Sequence, residues 1–177
     1  SCLARAERDS AAARIEADSW LADAVGVSRA EALQCRGYAF ANLGQWNDAA
    51  SSFLEARDDS DLIDPKYRAR LGTMAANALL TAGDNERALT ILDRAKVDAA
   101  AAGFTALKAE IEIDRARAFV ASGDTASANM PLTEARRLAP TNARAWLLSA
   151  TLARRSDNLQ AAQGQITQAG LLDPTER

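Results

Sequence analysis

A chain of 177 residues that is 48% hydrophobic but only 5% aromatic can bury a sizeable core built largely of alanine, an interior that suits closely packed helices. Its net charge of -3, with acidic and basic side chains interleaved, leaves no broad basic surface to neutralise phosphates and argues against a nucleic-acid partner. Charges interrupt every apolar stretch well before the roughly 20 residues of a bilayer span, and no Val/Ile/Thr-rich alternating run predicts a strand.

The first element is a helix within residues 2–26, carried by Ile15, Ala17, Trp20, Leu21, Ala24 and Val25 and stopped by Gly26. It either covers the exposed core of the neighbouring helices or is the remaining helix of a degenerate unit. The chain begins without Met, as a trimmed chain does, and a leader ending before Cys2 would make that cysteine the lipidated N-terminus of a bacterial lipoprotein. A linker or first-helix cysteine in an excised domain is the plainer reading. With 18 Arg against three Lys and abundant Ala, the composition points to a GC-rich bacterial genome, so a periplasmic or cell-envelope location is expected ahead of a cytoplasmic one. Cys35 is the only other cysteine. Nothing in the sequence brings it near Cys2, and the two form neither a CxxC motif nor a zinc site.

Beyond Gly26 a small-x3-large-x2-small pattern recurs four times: Ala49-Phe53-Ala56, Ala88-Leu92-Ala95, Ala128-Leu132-Ala135 and Ala162-Ile166-Ala169. Such a face lets two helix backbones approach while one large side chain fills the gap, so the recurrence predicts one helix pair stacked four times. Before each triplet lies a turn. Gly44, Gly83 and Gly123 supply a left-handed residue in the first three, an Asp, Asn or Thr just after is placed to cap the next helix, and Asp157 replaces the glycine in the fourth.

These residues resemble the tetratricopeptide repeat, whose pattern is Trp-x2-Leu-Gly-x2-Tyr, Ala-x3-Phe and Pro over 34 residues. Gly37, Phe40, Ala49, Phe53 and Ala56 stand at the pattern's positions in the first copy; Ala76 in place of the Gly and Leu79 in place of the Tyr, with Ala88, Leu92 and Ala95, in the second; Ala116, Phe119, Ala128, Leu132, Ala135 and Pro140 in the third; Trp146, Ala150, Ala153, Ala162, Ile166, Ala169 and Pro174 in the fourth, so that no single copy is complete. The resemblance covers about residues 30–174. It implies an all-α, right-handed superhelix (α-solenoid) of antiparallel helix pairs. Residues 1–29 then form the N-terminal cap or degenerate repeat, and repeats follow at about 30–68, 69–108, 109–142 and 143–177 in one continuous domain. Trp46 and Trp146 fall at packing positions and are expected in the core.

Two copies are longer than the family's, by five or six residues. The first insertion lies in 58–65, where Pro65 suits a helix N1 position. The second lies in 97–103, where consecutive alanines favour a lengthened helix over an opened loop. Both predict a local distortion of the superhelix around the second repeat. At the far end Gln160, Gln163, Gln165 and Gln168 give the last helix a polar face that can serve as its own cap. Alternatively, Leu171 and Leu172 meet another domain or subunit.

Catalysis is not expected. The chain has no His, no phosphate loop, no nucleophile elbow and no paired-carboxylate pattern, and no cofactor is implied. Asp58, Asp59, Asp61 and Asp64 lack the Gly and the terminal Glu of a calcium loop. What the resemblance implies instead is a scaffold that binds a partner peptide or protein segment in a concave groove lined by the first helix of each pair. The alternative is a module that self-associates or packs on another domain. Counting along the repeats places Glu31, Gln34, Cys35, Tyr38 and Asn42 in the groove, then Arg70, Thr73, Met74, Asn77 and Thr81. The third repeat adds Glu110, Asp114, Arg117 and Ala121, and the fourth Arg144, Leu148, Thr151 and Arg155. Gln34, Tyr38 and Met74 stand where chaperone-binding members carry a Lys/Asn carboxylate clamp, so an acidic chaperone tail is not expected. The candidate contact residues are Gln34, Tyr38, Asn42, Arg70, Met74, Asn77, Asp114, Arg117, Thr151 and Arg155. Within them Asp114 and Arg117, three apart on one helix, can equally pair with each other.

Overall fold

The computed structural model describes residues 2–59 and 64–173. Every regular element among them is helical: α1 (Cys2–Ala6), α2 (Ser10–Leu21), α3 (Gly26–Asn42), α4 (Trp46–Asp59), α5 (Pro65–Ala82), α6 (Asn85–Ala101), α7 (Thr105–Ala121), α8 (Asn129–Leu138), α9 (Ala143–Arg155) and α10 (Leu159–Leu172). The helices pair as α3/α4, α5/α6, α7/α8 and α9/α10, an all-α arrangement of repeated helix pairs. By their internal contacts they fall into two compact units, residues 1–103 and 104–177.

The turn chemistry recurs as the sequence predicts. Gly44, Gly83, Gly123 and Asp157 occupy equivalent turns, all with positive φ (74°, 84°, 83° and 57°). Asp157 therefore accepts the left-handed conformation that glycine takes more cheaply. The residue after the turn caps the next helix through its side chain in two of the copies, Asp84 to the Arg87 amide and Asn158 to the Ala161 amide. Pro65 opens α5 behind the cap of Asp64, whose carboxylate accepts from the Lys66 amide. The alanines after Val97 extend α6 to Ala101 as expected. Residues 60–63, which include Asp61 of the first insertion, and Pro174 lie outside the described residues.

Three expectations about the helix bounds and the cysteines need correction. Residues 2–21 make two helices, because Asp9 caps α2 by accepting from the Ala12 amide and so breaks the run; Gly26 begins α3 rather than ending a helix. The α8 ladder starts only at Asn129. Pro131 has no N–H to give the Ser127 carbonyl, so the segment before it is a tighter turn closed by the Asn129 amide on Ala126. Finally, Cys2 and Cys35 are joined in a disulfide with their Cα atoms 6.0 Å apart. Folding α1 back along α3 brings together two sulfurs that are 33 residues apart in sequence.

Alanine lets the helices approach. The first three triplets are buried throughout, and Phe53 sits so close to Gly37 that a Cβ there would lie 2.5 Å from the ring. In the fourth triplet Ala169 is buried but Ile166 is exposed. The lengthened second pair is locked by charge. Asp98, in the added part of α6, accepts from Arg57 of α4 at 2.7 Å and from Arg68 of α5 at 3.2 Å, and both Asp98 and Arg57 are buried. Trp46 and Trp146, expected in the core, are only half-buried. Trp146 donates its indole N–H to the Pro140 carbonyl and lies under the Arg136 guanidinium, 5.0 Å from the ring centroid, while Trp46 lines a surface hollow with Thr81. An indole has one polar edge, and at these sites it keeps that edge or a cation at the surface.

Candidate functional site

In residues 1–103 several of the predicted groove side chains bond within the chain. Tyr67 of α5 donates its hydroxyl to Gln34 Oε1 of α3 at 2.8 Å. Burial, helped by Glu31 and Tyr38, pushes the Tyr67 phenol up to about 12. Tyr38 packs edge-on against Phe53 at 5.6 Å between centroids and reaches Met74 Sδ at 3.8 Å, a second tie between α3 and α5. Asn42 donates to the Ala6 carbonyl of α1 at 2.8 Å, beside the disulfide. Asn77 turns its amide back to the Thr73 carbonyl of its own helix. Arg70 is exposed, and Cys35 is buried under α1 rather than facing a partner.

Residues 104–173 present a different face. Ala116, Arg117, Val120 and Ala121 of α7, Leu132 of α8, and Leu148, Thr151, Leu152 and Arg155 of α9 line an open concavity of about 280 Å³. Its floor is aliphatic, an extension of the core formed by Ala116, Leu132 and Leu152 with Val120 and Leu148 packed against it. Two guanidinium groups lie on its margin. Arg117 is tied to Asp114 at 2.7 Å; the carboxylate is buried, with 7% of its side chain exposed, while 40% of the Arg117 side chain stays open to solvent. Arg155, in the last turn of α9, is exposed. Thr151 spends its hydroxyl on the Leu147 carbonyl of its own helix and so contributes its methyl and its place in the wall.

Five residues assigned to the groove by counting, Arg117, Ala121, Leu148, Thr151 and Arg155, line this one hollow. Asp114 does not: its carboxylate serves to hold Arg117. Val120, Leu132 and Leu152 were not anticipated as lining. Leu132 is the large member of a triplet, read as packing, and at this place one side of that packing is open.

No protein-family model matches the chain, and no curated protein matches it. Among solved structures it is similar over 99% of its length to an ArsTM double mutant of MamA from Desulfovibrio magneticus RS-1, with a TM-score of 0.77, 19% identity and 92% of that chain covered. It is likewise similar over 99% to the TPR-like repeats of a putative kinesin light chain from Podosopora anserina, with a TM-score of 0.79, 13% identity and 92% of that chain covered. The apo form of RapI matches 93% of this chain at a TM-score of 0.82 and 13% identity, over 48% of its own length. The fold is therefore that of the tetratricopeptide-like helical repeats, at sequence identities that carry the architecture alone.

Proposed function

We propose that this chain, a tetratricopeptide-like helical repeat, is a non-catalytic scaffold that binds a segment of a partner protein on the face formed by α7 and α9. The observation that carries the reading is the open aliphatic hollow at groove positions of the third and fourth repeats. An exposed aliphatic concavity with charged margins is how a protein presents an anchor site for a partner side chain. The experiment is site-specific photo-crosslinking of the full chain. A benzophenone amino acid at Ala121, in the hollow, should capture a discrete partner protein, whereas the same group at exposed Arg94 on α6 should not. Equal labelling from both positions, or none from Ala121, defeats the reading.

A second reading has its own observation. Leu159, Ile166 and Leu171 of α10 are exposed, Leu171 to 74%, which suits packing against another domain or a second copy. Light scattering separates the two. A concentration-dependent mass that Leu171→Glu abolishes would favour self-association.

We also propose that the chain matures in an oxidising compartment, the periplasm or cell envelope in a bacterium. The support is the Cys2–Cys35 disulfide, since such bonds persist where thiols are not kept reduced. A lipoprotein thioether at Cys2 would need the same sulfur, so disulfide and lipidation exclude one another. Non-reducing peptide mapping of the protein from its native host should recover the Cys2–Cys35 cross-link; an acylated Cys2 would overturn the assignment.

A further inference from the structure

Resting on the second reading, in which α10 is a contact surface, we infer that the contact is with a second copy of this chain, two α9/α10 pairs stacking about a twofold axis with each α10 seated in the trough of the other. That trough, open and of about 490 Å³, runs between α9 and α10 and is lined by residues that include Leu147, Thr151 and Arg154 of α9 and Leu159, Gln163 and Ile166 of α10. Repeat position shows what it takes. Leu147, Thr151 and Ile166 are the counterparts of Gln34, Tyr38 and Phe53 in the first pair, where α5 packs on α4 and bonds to α3, Tyr67 to Gln34 and Met74 to Tyr38. Phe53 is 3% exposed there; Ile166 is 46% exposed, and among the described residues no helix covers it. The trough is therefore shaped to receive a helix.

Charge says whose helix it is. Among the described residues α10 is the one helix without a charged side chain. A twofold contact sets the side chains near its axis against the same residues of the other copy, so a charge on that face would meet its like, and α10 brings none. Two copies with a net charge of -3 each repel elsewhere on their surfaces, whereas charge-depleted apolar surface is what the core of an interface is made of. Arg154 is the one charged residue among those lining the trough. It sits beside the α9/α10 turn, so antiparallel pairing puts the two guanidinium groups at opposite ends of the contact, each with its stem along the neighbouring helix and its head in water. Two pairs stacked in this way make a four-helix arrangement.

The test is light scattering and sedimentation equilibrium on the full chain, whose mass should rise from one chain toward two as concentration increases. Ile166→Lys, at a position already open to solvent, should weaken that association at least about tenfold with the far-ultraviolet spectrum unchanged. Leu171→Glu, about 140° further round α10 and outside the trough, should weaken it less. Gln163, between Leu159 and Ile166, falls nearest the axis, so Gln163→Glu and Gln163→Lys should each favour the single chain when alone and pair with each other when mixed at low salt. A single-chain mass at every concentration removes the self-association reading and the inference together. If Leu171→Glu disperses the association and Ile166→Lys leaves it, α10 self-associates by its other edge and the trough is not the contact. If Ile166→Lys disperses it but the mixed Gln163 variants pair no better than either alone, the trough takes a different surface and the twofold arrangement is overturned. Val97→Glu, at an exposed apolar position on α6, should leave the mass unchanged; dispersal equal to that by Ile166→Lys would overturn the assignment to α9 and α10.

Discussion

The same helix-pair architecture is built twice along this chain and finished differently each time. In residues 1–103 several side chains of the predicted binding face bond to the rest of the chain: Gln34 with Tyr67, Tyr38 with Met74 and Phe53, Asn42 with the backbone of α1, and Cys35 with Cys2. In residues 104–173 the equivalent face holds an aliphatic hollow between two arginines. Repeat position therefore says where a side chain points, and the local neighbours decide whether it is spent on the fold or left for a partner. On the proposed reading the first unit spends these side chains on the fold and the second offers them to a partner.

That contrast can be broken most severely at Asp98. Replacing it with Ala leaves Arg57 buried without this carboxylate and should cost about 3–5 kcal/mol of unfolding free energy, measured by urea titration. Partner crosslinking from Ala121 on the α7/α9 face should not change in the fraction that remains folded. Removing the disulfide with Cys35→Ala frees a 33-residue separation and should cost about 3–4 kcal/mol on chain-entropy grounds, again read by urea titration and again without effect on the hollow. Gly37→Ala drives a methyl into the Phe53 ring and should destabilise by about 1–3 kcal/mol; Phe53→Leu in the same chain should recover part of the loss. A loss of that crosslinking in any of these three while the chain is still folded would show that the two units do not divide the work as stated.

The smallest effect is on pH dependence. The Tyr67 phenol is raised to about 12 in the folded chain from an ordinary value near 10, so between those values the folded state holds a proton that the unfolded state has released. Its contribution to stability is complete below about pH 10 and is lost as pH climbs toward 12. Tyr67→Phe should flatten that part of the stability profile; an unchanged slope would mean that burial of the Tyr67 phenol does not hold its proton in place.

Much of the fold was legible in the sequence because it depends on local chemistry. The first three triplets, the left-handed turn residues and the Pro65 start each act over fewer than ten residues, and the structure reproduces them. The Asp114–Arg117 pair was readable for the same reason, three residues apart on one helix. What escaped was set by tertiary neighbours. The Cys2–Cys35 bond depends on α1 folding back along α3, a reversal signalled only by Asp9 as a cap. The buried Asp98 triad joins three helices, and no single stretch of sequence contains it. Leu132 looked like packing because its repeat position is a packing position, and only the surrounding helices reveal its open side.

The division between the two units is tested most sharply by methyl nuclear magnetic resonance on the full chain during titration with the partner protein captured from Ala121. Shifts are expected at Val120, Leu148 and Leu152, which line or underlie the hollow, and none at Leu33, Leu71 or Leu79, which are buried in the first unit. Shifts centred on Leu33 and Leu71 with Leu148 and Leu152 unmoved would place the binding face on the wrong half of the molecule.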